Sequence, residues 1–142
     1  MAVEDLADAD PLPRVLAWLN AHPTLTAALG GPGRVDALNE APYPRIRFTH
    51  SGGADGDLRW LINPEFQLEV LDDLAGTTGR AGLRRILYLA YGALVALLEQ
   101  PVPPGEPVIT WFQGGRGGGW SPLGTGQGRY VGTVRAWSHP YR

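Results

Sequence analysis

The stretch Glu65-Phe66-Gln67-Leu68-Glu69-Val70-Leu71 decides the fold, because it carries the clearest alternation of apolar and polar residues in the chain. Phe66, Leu68 and Val70 fall on one side of an extended segment, while the two glutamates and the glutamine between them fall on the other. A period of two is typical of a β-strand with one buried face and one solvated face. The sequence therefore predicts a strand within residues 58–71, bent near its Asn-Pro pair, with helices on one side only.

A long apolar helix is predicted downstream, from about Arg80 to Glu99, where a run of prolines ends it. Its apolar residues recur at helical spacing, and the opposite side is apolar as well. A helix of this kind needs cover on two faces, which either the amino-terminal helix or a neighbouring subunit supplies. The candidate subunit or partner interface on this helix consists of Arg84, Arg85, Tyr88 and Gly92.

Upstream of the central strand, the pattern predicts an amino-terminal helical hairpin or kinked helix that begins near Asp10 and ends at the glycines of residues 30–33. Residues 34–39 form a short strand candidate, and residues 43–50 alternate well enough to form a better one. Prolines before this second strand predict that it starts at a sheet edge. Residues 51–57 are predicted to be a flexible hairpin loop.

At the carboxyl-terminal side, residues 108–113 and 129–137 are predicted strands, joined by a loop over residues 114–128 in which eight of fifteen residues are glycine. This loop is either a disordered hairpin tip or an arm that becomes ordered against a partner, with Arg116, Trp120 and Leu123 as its anchors. The whole chain, 1–142, is thus predicted to be one α+β domain: a small, mostly antiparallel sheet with an N-terminal helix and one long apolar helix packed on one face.

Composition removes several classes of chemistry. The chain has 142 residues, no cysteine, and 12 basic residues that are all arginine, so thiol, disulfide and lysine chemistry are absent. The net charge of -2 argues against a general nucleic-acid binder. Charge is divided, however: residues 1–10 form an acidic tail, residues 36–73 hold eight acids, and no acid follows Pro107. Such a division suits copies that stack or form a ring.

No catalytic or metal-binding constellation is visible. The three histidines lack acidic or histidine partners at metal-ligand spacing, and no serine lies in a nucleophile-elbow pattern. The glycine-rich segment lacks both the dinucleotide spacing and a following helix. Glu65 and Glu69 alternate outward on one strand, an arrangement typical of a solvated face rather than of a catalytic pair. We therefore expect no enzymatic activity and no cofactor.

Four segments spread over most of the chain share a pattern with a known family: Arg14-Val15-Leu16-Ala17-Trp18-Leu19, Tyr43-Pro44-Arg45-Ile46-Arg47-Phe48, Phe66-Gln67-Leu68-Glu69-Val70-Leu71 and Arg129-Tyr130-Val131-Gly132-Thr133-Val134. Together they resemble the tail terminator of long-tailed bacteriophages. The resemblance implies a virion protein, assembled in the host bacterial cytoplasm, that forms a hexameric ring. Such a ring would cap the tail tube protein and meet the head-side connector or stopper protein. The glycine-rich segment and the acidic residues 1–10 have no counterpart in that pattern.

The resemblance also implies a channel through which DNA passes without specific binding. Glu65, Gln67 and Glu69 are the candidate lining of this channel, where carboxylates would repel the polyanion. A second interpretation pairs the glutamates with Arg45 and Arg47 on the adjacent strand. The longest uncharged helical stretch is shorter than the 18 or so residues of a membrane span, so we expect no membrane insertion.

Two other functions fit the sequence. One is a head-closure or stopper protein of the same phage connector, which would be expected to be mostly β-barrel. The other belongs to a different class, a small bacterial α+β protein that binds a ligand between helix and sheet. That protein would use the aromatic residues Trp60, Phe66, Trp111 and Tyr130.

Overall fold

The computed structural model describes residues 4–52, 61–76, 78–115 and 118–141. Four helices and six strands follow one another along the chain. They are α1 (Asp5–Asp8), α2 (Leu12–Ala21), α3 (Pro23–Leu29), β1 (Val35–Asp36), β2 (Arg45–Gly52), β3 (Glu65–Asp73), α4 (Gly79–Leu97), β4 (Val108–Gly114), β5 (Gly119–Pro122) and β6 (Gln127–His139).

The strands form one sheet in the order β1-β2-β3-β6-β4, with β5 also paired to β6. Only the pair of β1 and β2 is parallel, and the other pairs are antiparallel. The helices α2, α3 and α4 share one hydrophobic core with one face of this sheet. The predicted α+β class, with a mostly antiparallel sheet, an amino-terminal helix and a long helix, is confirmed.

Local sequence explains where the first helices begin and end. The backbone N–H of Leu12 donates to Oδ1 of Asp10 at 3.0 Å, which satisfies one of the free donors at the start of α2. Pro23 begins α3, and Gly30 ends it in a left-handed conformation with φ of 82°. The interruption between the two helices turns α3 so that both pack against α4.

The alternation on β3 orients the sheet as predicted. Phe66, Leu68 and Val70 are buried on the helix side, opposite Val134, Gly132 and Tyr130 of β6 respectively. Gly132 lies where α4 packs tightly on β6, since a Cβ atom built on it would overlap Tyr91 Oη and stand 2.9 Å from Leu87 Cδ2. We call the face of the sheet away from the helices the outer face.

Several boundaries differ from the predictions. The predicted loop over residues 114–128 contains β5 and the start of β6, because the 13-residue strand β6 offers its partner a long ladder of hydrogen bonds. β2 is an inner strand rather than an edge strand, because β1 pairs alongside it. Within the predicted acidic tail, residues 5–8 form α1 and Ala9 is buried. Residues 53–57 of the predicted hairpin loop lie outside the described residues.

The two edges of the sheet differ in how well they are protected. β1 is only two residues long. β4 has the sequence VITWFQG, without charge or proline, and in the described part of the chain no strand pairs with its other side. Natural sheets usually place charges, prolines or bulges on such an edge. β4 has one register irregularity, between Ile109 and Trp111, but no charge or proline, so it is the more open of the two edges.

Candidate interaction surfaces

The central feature of the outer face is an ion-pair cluster around Glu69. Arg47 donates from Nε to Oε1 at 3.0 Å and from Nη2 to Oε2 at 2.7 Å, and Arg129 donates from Nη1 to Oε2 at 2.8 Å. Glu69 is only 3% exposed, whereas the arginine side chains are 26% and 31% exposed. The prediction that Glu69 lies on a solvated face is therefore wrong, because two arginines from neighbouring strands cover it.

The pKa of Glu69 reflects this balance. Burial raises the pKa, but the hydrogen bonds from Arg47 and Arg129 outweigh burial, so that the pKa is lowered from its ordinary value. The hydrogen bond to Glu69 likewise raises the pKa of Arg47. Glu69 is thus an ionised, fully partnered carboxylate.

The remaining predicted lining residues lie on the same face. Nη2 of Arg135 is 3.3 Å from Oε2 of Glu65, and Gln67 is half-buried between the two glutamates. Arg45 does not pair with either glutamate, because its Nη2 contacts Oδ1 of Asp36 at 2.7 Å. The carboxylates of this face are therefore matched by arginines, and the predicted acidic lining is not acidic in the single chain.

The long helix α4 is covered in part by other elements of the same chain. Nε1 of Trp18 in α2 donates to the carbonyl oxygen of Ala93 at 2.6 Å, and Ala93 is buried. Tyr88, at 57% exposure, and Gly92 remain exposed on the other side. Cover by the amino-terminal helices thus accounts for one side of α4, and the predicted interface residues Arg84, Arg85, Tyr88 and Gly92 stay accessible on another.

The predicted anchors of the glycine-rich segment are separated. Trp120 is half-buried on the helix side of the sheet, with the guanidinium carbon of Arg80 3.9 Å from its ring centroid. Leu123 lies in the turn before β6, where its N–H donates to the carbonyl of Gln127 at 2.7 Å. Arg116 lies outside the described residues. Sequence reasoning missed the stacking of Arg80, since 40 residues separate it from Trp120.

The aromatic residues of the ligand-binding alternative do not converge. Phe66 is buried in the core, Tyr130 is half-buried on the helix side, and Trp111 is 60% exposed beside Trp137 on the outer face. Trp60 lies outside the described residues. A cavity of about 480 Å³ lies elsewhere, between α2 and the proline-rich segment after α4. No group of three or more potential metal ligands occurs among the described residues.

These observations define an α+β sheet protein with helices on one face and an arginine-glutamate network on the other. No family model matches the sequence, and no curated protein matches it. Among solved structures, the chain is similar to one from the virion of a native gene transfer agent (GTA) particle, with 18% identity and a TM-score of 0.55. The similarity covers 95% of each chain, so the two share a fold over nearly their whole length. No helix in the described ranges is long and apolar enough to span a membrane.

Proposed function

We propose that this chain is a structural virion protein of a phage-type particle, without enzymatic activity. In this role several copies form a ring that ends the tail tube and joins it to the head-side connector. The observation that carries the proposal is the fold shared with a virion chain over 95% of both chains.

The open sheet favours the tail terminator over the head-closure protein. The stopper is expected to be mostly β-barrel, whereas this sheet has two separate edges, at β1 and β4, and carries its helices on one face. Four helices, one of them 19 residues long, belong to the described chain. The tail-terminator role, which the sequence resemblance implies, is therefore the better supported of the two.

We place the outer face toward the DNA channel of this ring. The face carries polar and charged side chains along β2, β3 and β6, with the carboxylates of Glu65 and Glu69 each held by arginine. Matched charges give DNA phosphates few unpaired cations to bind, so passage is favoured over retention. This lining differs from the predicted acidic lining. Its arginines neutralise its carboxylates, so DNA passes because few charges are free to bind it, not because carboxylates repel it.

A particle reconstruction tests the proposal. Particles purified from cells that produce this chain are imaged by electron cryomicroscopy, and we expect a ring of copies where the tail tube meets the head. Cells that lack the chain should accumulate heads and tails that are not joined, and expression of the unaltered chain should restore joining. Absence of the chain from purified particles, or a single copy without rotational symmetry, would overturn the proposal.

A further inference from the structure

We infer that neighbouring copies contact one another head to tail, through two oppositely charged surfaces at opposite ends of the domain. The acidic end is the exposed side of α1, represented by Glu4 and Asp8. The basic end is the exposed side of α4 near its start, represented by Arg80, Arg84 and Arg85. This inference rests on the proposed ring and names the contact between its subunits.

The fold holds the two surfaces far apart in one chain. α1 lies at the start of β3, where Leu6 shares a cavity with Phe66, and Ala9 accepts a hydrogen bond from Ser138 Oγ at 2.6 Å. Arg80 lies at the other end of β3, beside Asp73. β3 has nine residues, so at about 3.4 Å per residue its ends are roughly 27 Å apart. The acidic and basic ends cannot meet within one copy.

Both surfaces keep their charge available. Each of Glu4, Asp8, Arg84 and Arg85 is exposed, and none takes part in the ion pairs found between described residues. Two of the arginines lie against aromatic rings instead, with Arg84 5.3 Å from the ring centroid of Tyr88. A cation above a ring is held in position without losing its charge. The basic end is thus pre-positioned for carboxylates from outside the chain.

The acidic end is reinforced by neighbours on other elements. Glu99 and Glu106 follow α4, in the region that packs beside the start of α2. The nearby cation Arg14 donates to the carbonyl oxygen of Pro107 at 3.0 Å. Carboxylates therefore outnumber cations at this end of the described chain. At the other end, the three arginines of α4 outnumber Asp72 and Asp73, which line the same pocket as Arg80.

A second copy of the chain is the occupant that these charges fit. Like ends would repel each other, so a contact between copies must join unlike ends. An antiparallel two-fold dimer joins both pairs of unlike ends and closes at two copies, whereas repetition of one head-to-tail contact produces a ring if its rotation closes, as the proposed function requires. The exposed ring of Tyr88 adds an apolar contact beside the arginines.

Disulfide trapping tests the contact directly, because the chain has no cysteine of its own. Ala7 in α1 and Ala81 in α4 are exposed and uncharged, so Ala7→Cys and Ala81→Cys mark the two ends without altering their charge. Oxidation of a mixture of the two single variants should give heterodimers several-fold in excess of either homodimer. A chain that carries both cysteines should give a ladder of linked oligomers. The matched control pairs Ala81→Cys with Ala37→Cys, which is exposed near β1.

Charge reversal establishes the cause of trapping. Heterodimer yield should fall to the control level at 1 M salt, where the screening length shrinks to about 3 Å. It should also be lost when the Ala81→Cys chain carries Arg84→Glu and Arg85→Glu. The yield should return when the Ala7→Cys partner carries Glu4→Arg and Asp8→Arg, which also shows that the reversed chains fold.

Four results would overturn the inference: a yield no higher than the Ala37→Cys control, a preference for homodimers, dimers without a ladder from the chain that carries both cysteines, or binding of labelled duplex DNA by the basic end without heterodimers. The last would assign the arginines of α4 to nucleic acid. Trapping uses the isolated chain, so it is independent of the particle reconstruction. If particles contain a ring in which the acidic and basic ends of neighbouring copies do not meet, this contact alone is refuted. If oligomers are trapped but the chain is not incorporated into virions, the proposed function alone is refuted.

Discussion

At the scale of single residues, Glu69 holds the outer face together. We expect Glu69→Gln to lower the free energy of unfolding by about 1–3 kcal/mol, because Arg47 and Arg129 lose a buried anionic partner. Partial exposure of the two arginines keeps the loss below that of a fully buried pair. Urea denaturation of the variant and the unaltered chain measures the difference.

Glu65→Gln is the matched control for this substitution. Glu65 is one-third exposed and has one arginine contact, at 3.3 Å. Exposed pairs of this kind contribute roughly 0–1 kcal/mol. Equal losses for the two variants would contradict the role assigned to Glu69.

The lowered pKa of Glu69 gives stability a pH dependence with a definite sign. A carboxyl group whose pKa is lower in the folded state stabilises the fold above its unfolded pKa, and that contribution is lost as pH falls through the folded pKa. The stability difference between the unaltered chain and Glu69→Gln should therefore be constant above about pH 5 and shrink below it. Denaturation midpoints measured between pH 7 and pH 3 check this. A difference that grows on acidification would refute it.

The alternation over residues 65–71 puts Glu69 on the correct strand and face but does not indicate its burial. Arg47 is on the next strand and was one of the two partners that cross-strand pairing offered. Arg129 is 60 residues away along the chain, and only the pairing of β3 with β6 brings it within hydrogen-bonding distance. Local alternation distinguishes the two faces of a strand, but it does not indicate which polar side chains a neighbouring strand covers.

At the scale of elements, the packing of α4 on β6 depends on Gly132. An added methyl group would overlap Tyr91 Oη, which donates to the carbonyl oxygen of Thr133, and would stand 2.9 Å from Leu87 Cδ2 in a core where Leu87 is 4% exposed. We expect Gly132→Ala to lower the free energy of unfolding by about 1–3 kcal/mol through overpacking.

Gly92→Ala is the matched control on the exposed side of α4. A Cβ atom at Gly92 meets nothing within 4 Å, so alanine should stabilise the helix by about 0.5–1 kcal/mol. The two substitutions are chemically identical and should shift thermal unfolding in opposite directions. Shifts of the same sign would mean that α4 packs differently.

Elements were predicted best where periodicity was strong. The alternation of β3 and the stripe of α4 located both elements closely. β5 was missed because glycine-rich segments have low intrinsic strand preference, and its pairing is imposed by the long strand β6. For α4, the sequence left two alternatives open, cover by the amino-terminal helix or by a neighbouring subunit. Helical spacing shows that a face is apolar without showing what covers it.

At the scale of the whole molecule, the proposed channel can be tested at Gln67. Reversing the charge of Glu69 would bury a third cation between two arginines and would unfold the chain before any effect on DNA is measured. Gln67 is half-buried on the outer face and uncharged, so Gln67→Arg adds one cation at a tolerable position. In assembled particles we expect this variant to slow DNA release at low salt, because added phosphate contacts weaken as salt rises.

Gln67→Glu provides the control, since it changes the same side chain without adding a cation. DNA release from particles with this variant should proceed at the unaltered rate. If the two variants release DNA at the same rate at low salt, the outer face does not line the channel. The ring proposal would be unaffected by this result.

The open edge of β4 limits how long a free copy of the chain stays folded and unaggregated before the proposed assembly. Its seven residues carry no charge or proline, and apart from the register irregularity between Ile109 and Trp111 they form a template for stacking of the cross-β type. Heat denaturation of the free protein should therefore end in irreversible aggregation, with an apparent melting temperature that depends on the scan rate. Thr110→Lys would place a charge on this exposed edge and should restore refolding on cooling. In the proposed role, incorporation into the particle competes with aggregation, and the concentration of free copies decides which of the two is faster.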